Sequence, residues 1–151
     1  MPERRRWRER LGNLARRPGL RAAVAGRFRH APLENGQADP GEIVWTWVPY
    51  EDDPAQGKDR PVLVLGVEGG RLLALMLTSK DHDRDEEQET LAGRHWMDVG
   101  SGGWDRQGRP SEVRLDRLLV LDPAEVRREG AAMDRAVFDR VVAAARRTQG
   151  W

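Results

Sequence analysis

Three short segments place charged or hydroxyl side chains where chemistry on an anionic group is feasible. In the first, Lys58, Asp59 and Arg60 precede Pro61 and the apolar run Val62-Leu63-Val64-Leu65. A guanidinium at the mouth of a rigid strand can grip a phosphate with paired donors, and Lys58 adds a second cation beside it. The same arginine also fits a solvated loop. In the second, Thr78, Ser79 and Lys80 end an apolar stretch. Two hydroxyls and an ammonium leaving the sheet together offer donors to anionic oxygens, although an ordinary strand-to-loop transition has this texture too. The third is Val113-Arg114-Leu115-Asp116. Side chains alternate along a strand, so Arg114 and Asp116 share one face while Val113 and Leu115 take the other. That pair can accept a proton and stabilise negative charge, or it can be a structural ion pair of small worth.

Other chemistries are poorly supplied. The 151 residues contain no cysteine, which excludes disulfides, thiolate metal sites and a thiol nucleophile. Three scattered histidines, His30, His82 and His95, do not suggest a multi-histidine centre. Asp81-His82-Asp83 lacks supporting ligands, so neither a metal nor another cofactor is expected. Gly100-Ser101-Gly102-Gly103 is no phosphate loop, because no Gly-Lys-Ser/Thr or helix start follows.

The elements that must position these residues are mostly strands. Residues 41–48 are β-branched and aromatic and read as a strand. Residues 49–59 read as a polar loop, and 61–66 as a strand buried on both faces. Glu68-Gly69-Gly70 reads as a hairpin turn into a returning strand over 71–78. Residues 80–93 form a charged loop with six acids, followed by strands over 94–99 and within 111–121. Asp122-Pro123-Ala124-Glu125 has the cap, the proline and the acid that open a helix. A second helix is predicted over 133–147, where Phe138, Val141, Val142 and Ala145 make one apolar face. Short strands followed by a helix suggest a mainly β (α+β) fold, a small curved antiparallel barrel. Its limited core favours association of two copies.

Charge is divided along the chain. Residues 1–30 hold ten Arg against two acids, whereas the remainder holds 16 basic and 23 acidic residues. Residues 1–38 therefore read as a basic, flexible extension, or as an arm for nucleic-acid phosphates, and 39–148 as the domain. The extension lacks the apolar run of an export signal, and no stretch approaches the roughly 20 apolar residues of a membrane span. A cytoplasmic protein with no membrane partner is expected. The Arg, Ala and Gly bias suggests a bacterial source.

Gly41-Glu42-Ile43-Val44-Trp45, then Gly57-Lys58-Asp59-Arg60-Pro61-Val62-Leu63-Val64-Leu65, then Leu77-Thr78-Ser79, then Val113-Arg114-Leu115-Asp116 resembles, in that order, the MazF/PemK family of toxin ribonucleases. The resemblance covers about residues 39–147. It implies an SH3-like barrel with a C-terminal helix, a homodimer, metal-independent cleavage of single-stranded RNA, and a cognate antitoxin. It also implies a site made of Arg60, Thr78, Arg114 and Asp116. Asp116 is the expected base, Lys58, Ser79, Lys80 and Trp104 are expected to contact RNA, and the ring of Trp104 or of Trp96 is expected to stack on a base. The loop before Arg60 carries Glu51, Asp52 and Asp53 where some members have a histidine. A non-catalytic barrel that binds nucleic acid or a peptide is the alternative.

Overall fold

The computed structural model describes residues 38–79, 95–127 and 131–150. Among the described residues there are six antiparallel strands and one α-helix: β1 (Ile43–Pro49), β2 (Gly57–Glu68), β3 (Arg71–Ser79), β4 (Trp96–Gly100), β5 (Ser111–Arg114), β6 (Leu119–Leu121) and α1 (Arg135–Gln149). The strand order is β1-β2-β3-β5-β4, with β6 also pairing β3. β3 serves two partners along its length. Leu72–Ala74 lie against β6, and Leu77–Ser79 lie against β5. The chain bends after Arg114 to pass from one partner position to the other. It then crosses to the free edge of β1, where Trp45 and Arg127 exchange both backbone hydrogen bonds. The sheet is therefore curled upon itself, as a small barrel requires.

Each sheet face carries its own apolar cluster. Ile43, Leu63, Leu65, Leu73, Leu75, Leu77, Val113 and Leu115 pack with Phe138, Val141, Val142 and Ala145 of α1. The neighbouring positions Val44, Val48, Val62, Val64, Leu72, Ala74 and Met76 form the second cluster with β6. This explains why the middle of β2 and β3 reads as unbroken apolar sequence: both faces are covered.

The Glu68–Arg71 hairpin closes through Gly69 and Gly70, with φ of 56° and 76°. Two successive positive φ values are what a tight two-residue hairpin loop demands. The helix expected over 133–147 runs from Arg135 to Gln149. Asp134 caps it by accepting from the backbone N–H of Ala136 and Val137, and Gly150 ends it at φ 71°. Its four predicted apolar positions are the buried ones.

Two expectations need correction. The strand assigned to 61–66 begins at Gly57, so the polar loop shortens to residues 50–56. The helix expected to open at Asp122 stops after one 3-10 turn, Pro123–Glu125. Asp122 does cap that turn, accepting from Ala124 N–H. The chain then becomes extended at Val126 because the edge of β1 takes the Arg127 backbone groups a helix needs. The 80–93 loop and almost all of the basic extension lie outside the described residues.

Candidate functional site

Strand register determines which side chains meet. Arg60 lies opposite Thr46 in the β1–β2 ladder. Val62 lies opposite Met76, so the same antiparallel register continued two places brings Arg60 to Thr78. Thr78 in turn lies opposite Glu112, and Glu112 opposite Asp98. Cross-strand partners share a face. Thr46, Arg60, Thr78, Glu112 and Asp98 thus form one polar row across five strands. The row continues the face of Val44, Val62, Val64, Ala74 and Met76 beyond its apolar part.

Within the row, Arg60 Nη1 donates to Thr78 Oγ1 at 3.2 Å. Arg114 follows Glu112 by two residues and so occupies the same face. Its side chain is only 7% exposed. Arg114 Nε donates to both oxygens of Asp116, at 3.1 and 3.2 Å, and Nη2 donates to Asp116 Oδ2 at 2.7 Å. This is a forked, charge-assisted pair. Asp116 Oδ1 also accepts from the backbone N–H of His95 at 2.8 Å. Glu51, from the β1–β2 loop, meets Arg114 Nη1 from the other side.

The charges respond to these contacts. Burial alone raises the Asp116 carboxyl, but the Arg114 guanidinium and the His95 N–H outweigh it and hold the carboxyl below its ordinary range. Burial likewise works against the Arg114 cation. The hydrogen bonds and charges of Asp116 and Glu51 more than offset that, so Arg114 stays charged beyond the usual arginine value. As built, this end of the face holds the guanidinium groups of Arg60 and Arg114 beside the ionised Asp116 carboxylate. It suits recognition of an anion with several oxygens and stabilisation of added charge on it.

The other expected site residues distribute unevenly. Lys58 is exposed and lies two places before Arg60, hence on the same face. Ser79 pairs with Ser111 on the opposite face from Thr78, because adjacent strand residues alternate. The two hydroxyls therefore do not leave the wall together. Trp104 is a core residue at 6% exposure, and its Nε1 donates to Ser111 Oγ at 3.1 Å. It is thus a packing and hydrogen-bonding element rather than an open stacking platform. Lys80 lies outside the described residues. Among the described residues no group of three His, Asp or Glu gathers as a metal site.

The sequence assigns no role to Glu112, none to Glu51 beyond its place in the loop where some family members have a histidine, and none to Arg117, whose Nη2 donates to Pro49 O at 2.9 Å. The alternation that joined Arg114 to Asp116 extends backwards to Glu112, so that signal was present. Nothing local links Glu51 to Arg114.

Residues 39–148 match the model of a family described as PemK-like, MazF-like toxin of type II toxin-antitoxin system. No curated relative matches the sequence. Among solved structures, a MazF from Deinococcus radiodurans is similar with a TM-score of 0.54 at 20% identity, over 78% of this chain and 100% of that one. An endoribonuclease from a mycobacterial species, in complex with its cognate antitoxin, is similar with a TM-score of 0.51 at 15% identity, over 75% of this chain and 95% of that one. These two likenesses are likenesses of fold. No helix of the described residues is long and apolar enough to cross a membrane.

Proposed function

This chain belongs to the PemK-like, MazF-like toxins of type II toxin-antitoxin systems, and from that premise we propose that it is an endoribonuclease that cuts single-stranded RNA without a metal ion. The observation that carries this reading is the shared face. The Arg60–Thr78 contact and the Arg114–Asp116 pair, brought by three neighbouring strands, lie side by side on it.

RNA brings its own nucleophile. The 2′-OH gives up its proton and its oxygen bonds to the adjacent phosphorus. The bond from phosphorus to the 5′-oxygen breaks, and that oxygen takes up a proton. The products are a 2′,3′-cyclic phosphate and a 5′-OH end. Arg60 and Arg114 hold the phosphate and stabilise the charge that builds on its non-bridging oxygens. Thr78 Oγ1 accepts from Arg60 and directs its own proton toward one of those oxygens. Asp116 takes the 2′-OH proton. Its carboxyl is a weak base while Arg114 grips it. As the phosphate draws Arg114 N–H groups to itself, that grip loosens and the basicity of Asp116 rises. An arginine releases a proton poorly at neutral pH, so charge stabilisation is the role assigned to both.

The protein acts in the cytoplasm as a homodimer and is neutralised by a cognate antitoxin. Among the described residues, Trp47, Tyr50 and Val67 are the large exposed apolar ones.

Incubation of the protein with single-stranded RNA in EDTA, followed by mapping of RNA ends, tests this. Cleavage leaving cyclic phosphate and 5′-OH ends is expected. Arg60→Ala should lose about 100-fold or more in rate with its thermal unfolding midpoint little changed. Salt-sensitive binding with no products would instead support a non-catalytic module, and cleavage only with added metal would refute the mechanism.

A further inference from the structure

Arg114 has one carboxylate more than its orientation needs. Asp116 alone supplies the fork that fixes an arginine, taking Nε and Nη2. Glu51 adds a second anion at Nη1. That contact is built into the fold. Arg117 Nη2 donates to Pro49 O at 2.9 Å, at the root of the Glu51 loop. Tyr50 N–H donates to Gln56 O at 2.9 Å, and Gln56 N–H to Asp53 O at 3.0 Å, closing the loop on itself. The bend that carries Arg114 and Asp116 therefore also anchors the loop that brings Glu51 back to them. Asp52 and Asp53 beside it are exposed. Glu51 is itself 48% exposed, so it approaches the guanidinium from the solvent side, the side from which a ligand must come.

We propose that the Nη1 edge of Arg114 is a phosphate subsite and that Glu51 is its internal occupant, which an incoming RNA phosphate displaces. This rests on the reading above that Arg114 meets an RNA phosphate. A carboxylate and a phosphate make the same charge-assisted contact with a guanidinium, and two anions at one edge repel. Glu51 thereby selects for chains over single phosphates. An isolated phosphate bears the whole cost of displacing it, whereas a nucleic acid strand that also reaches Arg60 and Lys58 offsets that cost.

The test is titration of inorganic phosphate into the full chain, followed for every variant by isothermal titration calorimetry and, where Arg114 is present, also through the NMR signal of its Nε–H. Glu51→Gln should bind phosphate about three- to tenfold tighter than wild type. Asp52→Asn, which removes the same charge from the next residue, should stay within about twofold of wild type. In the double variant E51Q/R114Q, phosphate affinity should gain nothing over R114Q. Equal affinity of Glu51→Gln and wild type, or an equal gain from Asp52→Asn, would overturn the proposal. RNA cleavage by the same proteins separates it from the function it rests on. If wild type cuts no RNA but phosphate behaves as described, the nuclease reading fails and the anion subsite stands. If Glu51→Gln stops cleavage with phosphate affinity unchanged, Glu51 is a proton carrier and the stand-in role is wrong.

Discussion

The two faces of the same strands have been put to opposite uses. On one face Leu63, Leu65, Leu75, Leu77 and Val113 pack without interruption against α1, and Phe138 is wholly buried between them. On the other, Val44, Val62, Val64, Ala74 and Met76 give way to Thr46, Arg60, Thr78, Glu112 and Arg114 toward the β4–β5 end. Burial on the helix face, together with the apolar part of the second face, drives folding. The second face can then hold partly buried charges close together, an arrangement that adds little stability of its own. A small barrel keeps such charges aligned because its apolar face is packed enough to hold the strands in register.

The sharpest way to break this division is Phe138→Ala. It should cost about 3–5 kcal/mol of stability, measured by urea unfolding. The molecules that remain folded should cut RNA at close to the wild-type rate, the reverse of the pattern expected for Arg60→Ala. A large rate loss at full folding would mean that the helix face reaches into the chemistry.

Asp116→Asn addresses the charged face and should destabilise by about 1–3 kcal/mol, since the buried Arg114 then keeps only Glu51 as a carboxylate partner. The pH dependence has a definite sign. The folded-state carboxyl lies below its unfolded value, so its contribution is fully present above the ordinary aspartate range of about 3.9. It is lost as pH falls through the lowered folded value. Wild type should therefore show an acid limb of declining stability that is shallower in Asp116→Asn. Parallel limbs would mean that the pair holds no folded-state advantage.

The smallest effect concerns the entry to α1. Asp134→Ala removes the cap on Ala136 and Val137 and should cost about 1 kcal/mol, with no change in RNA cleavage or phosphate binding. A change in either would couple the helix terminus to the opposite face.

Much of this molecule was legible before any coordinates. Alternation placed Arg114 beside Asp116, the Gly69-Gly70 pair marked the hairpin, and the spacing of Phe138, Val141, Val142 and Ala145 gave the buried helix face. These depend on interactions a few residues apart, where backbone periodicity acts directly. The helix expected after Asp122 failed because Arg127 found backbone partners on Trp45, far away in sequence. Trp104 was misjudged for the same kind of reason: its type suits stacking, and only its contacts reveal that it is core.

The sequence by itself determined the alternating patterns, the turns, the caps and the residue types available for phosphate chemistry, because each follows from covalent geometry and near neighbours. Tertiary structure decided that Arg60 touches Thr78, that Ser79 faces away from it, and that Glu51 reaches Arg114. Those outcomes depend on strand register and on a loop anchored by Arg117, and both are set by packing between segments that no local rule connects.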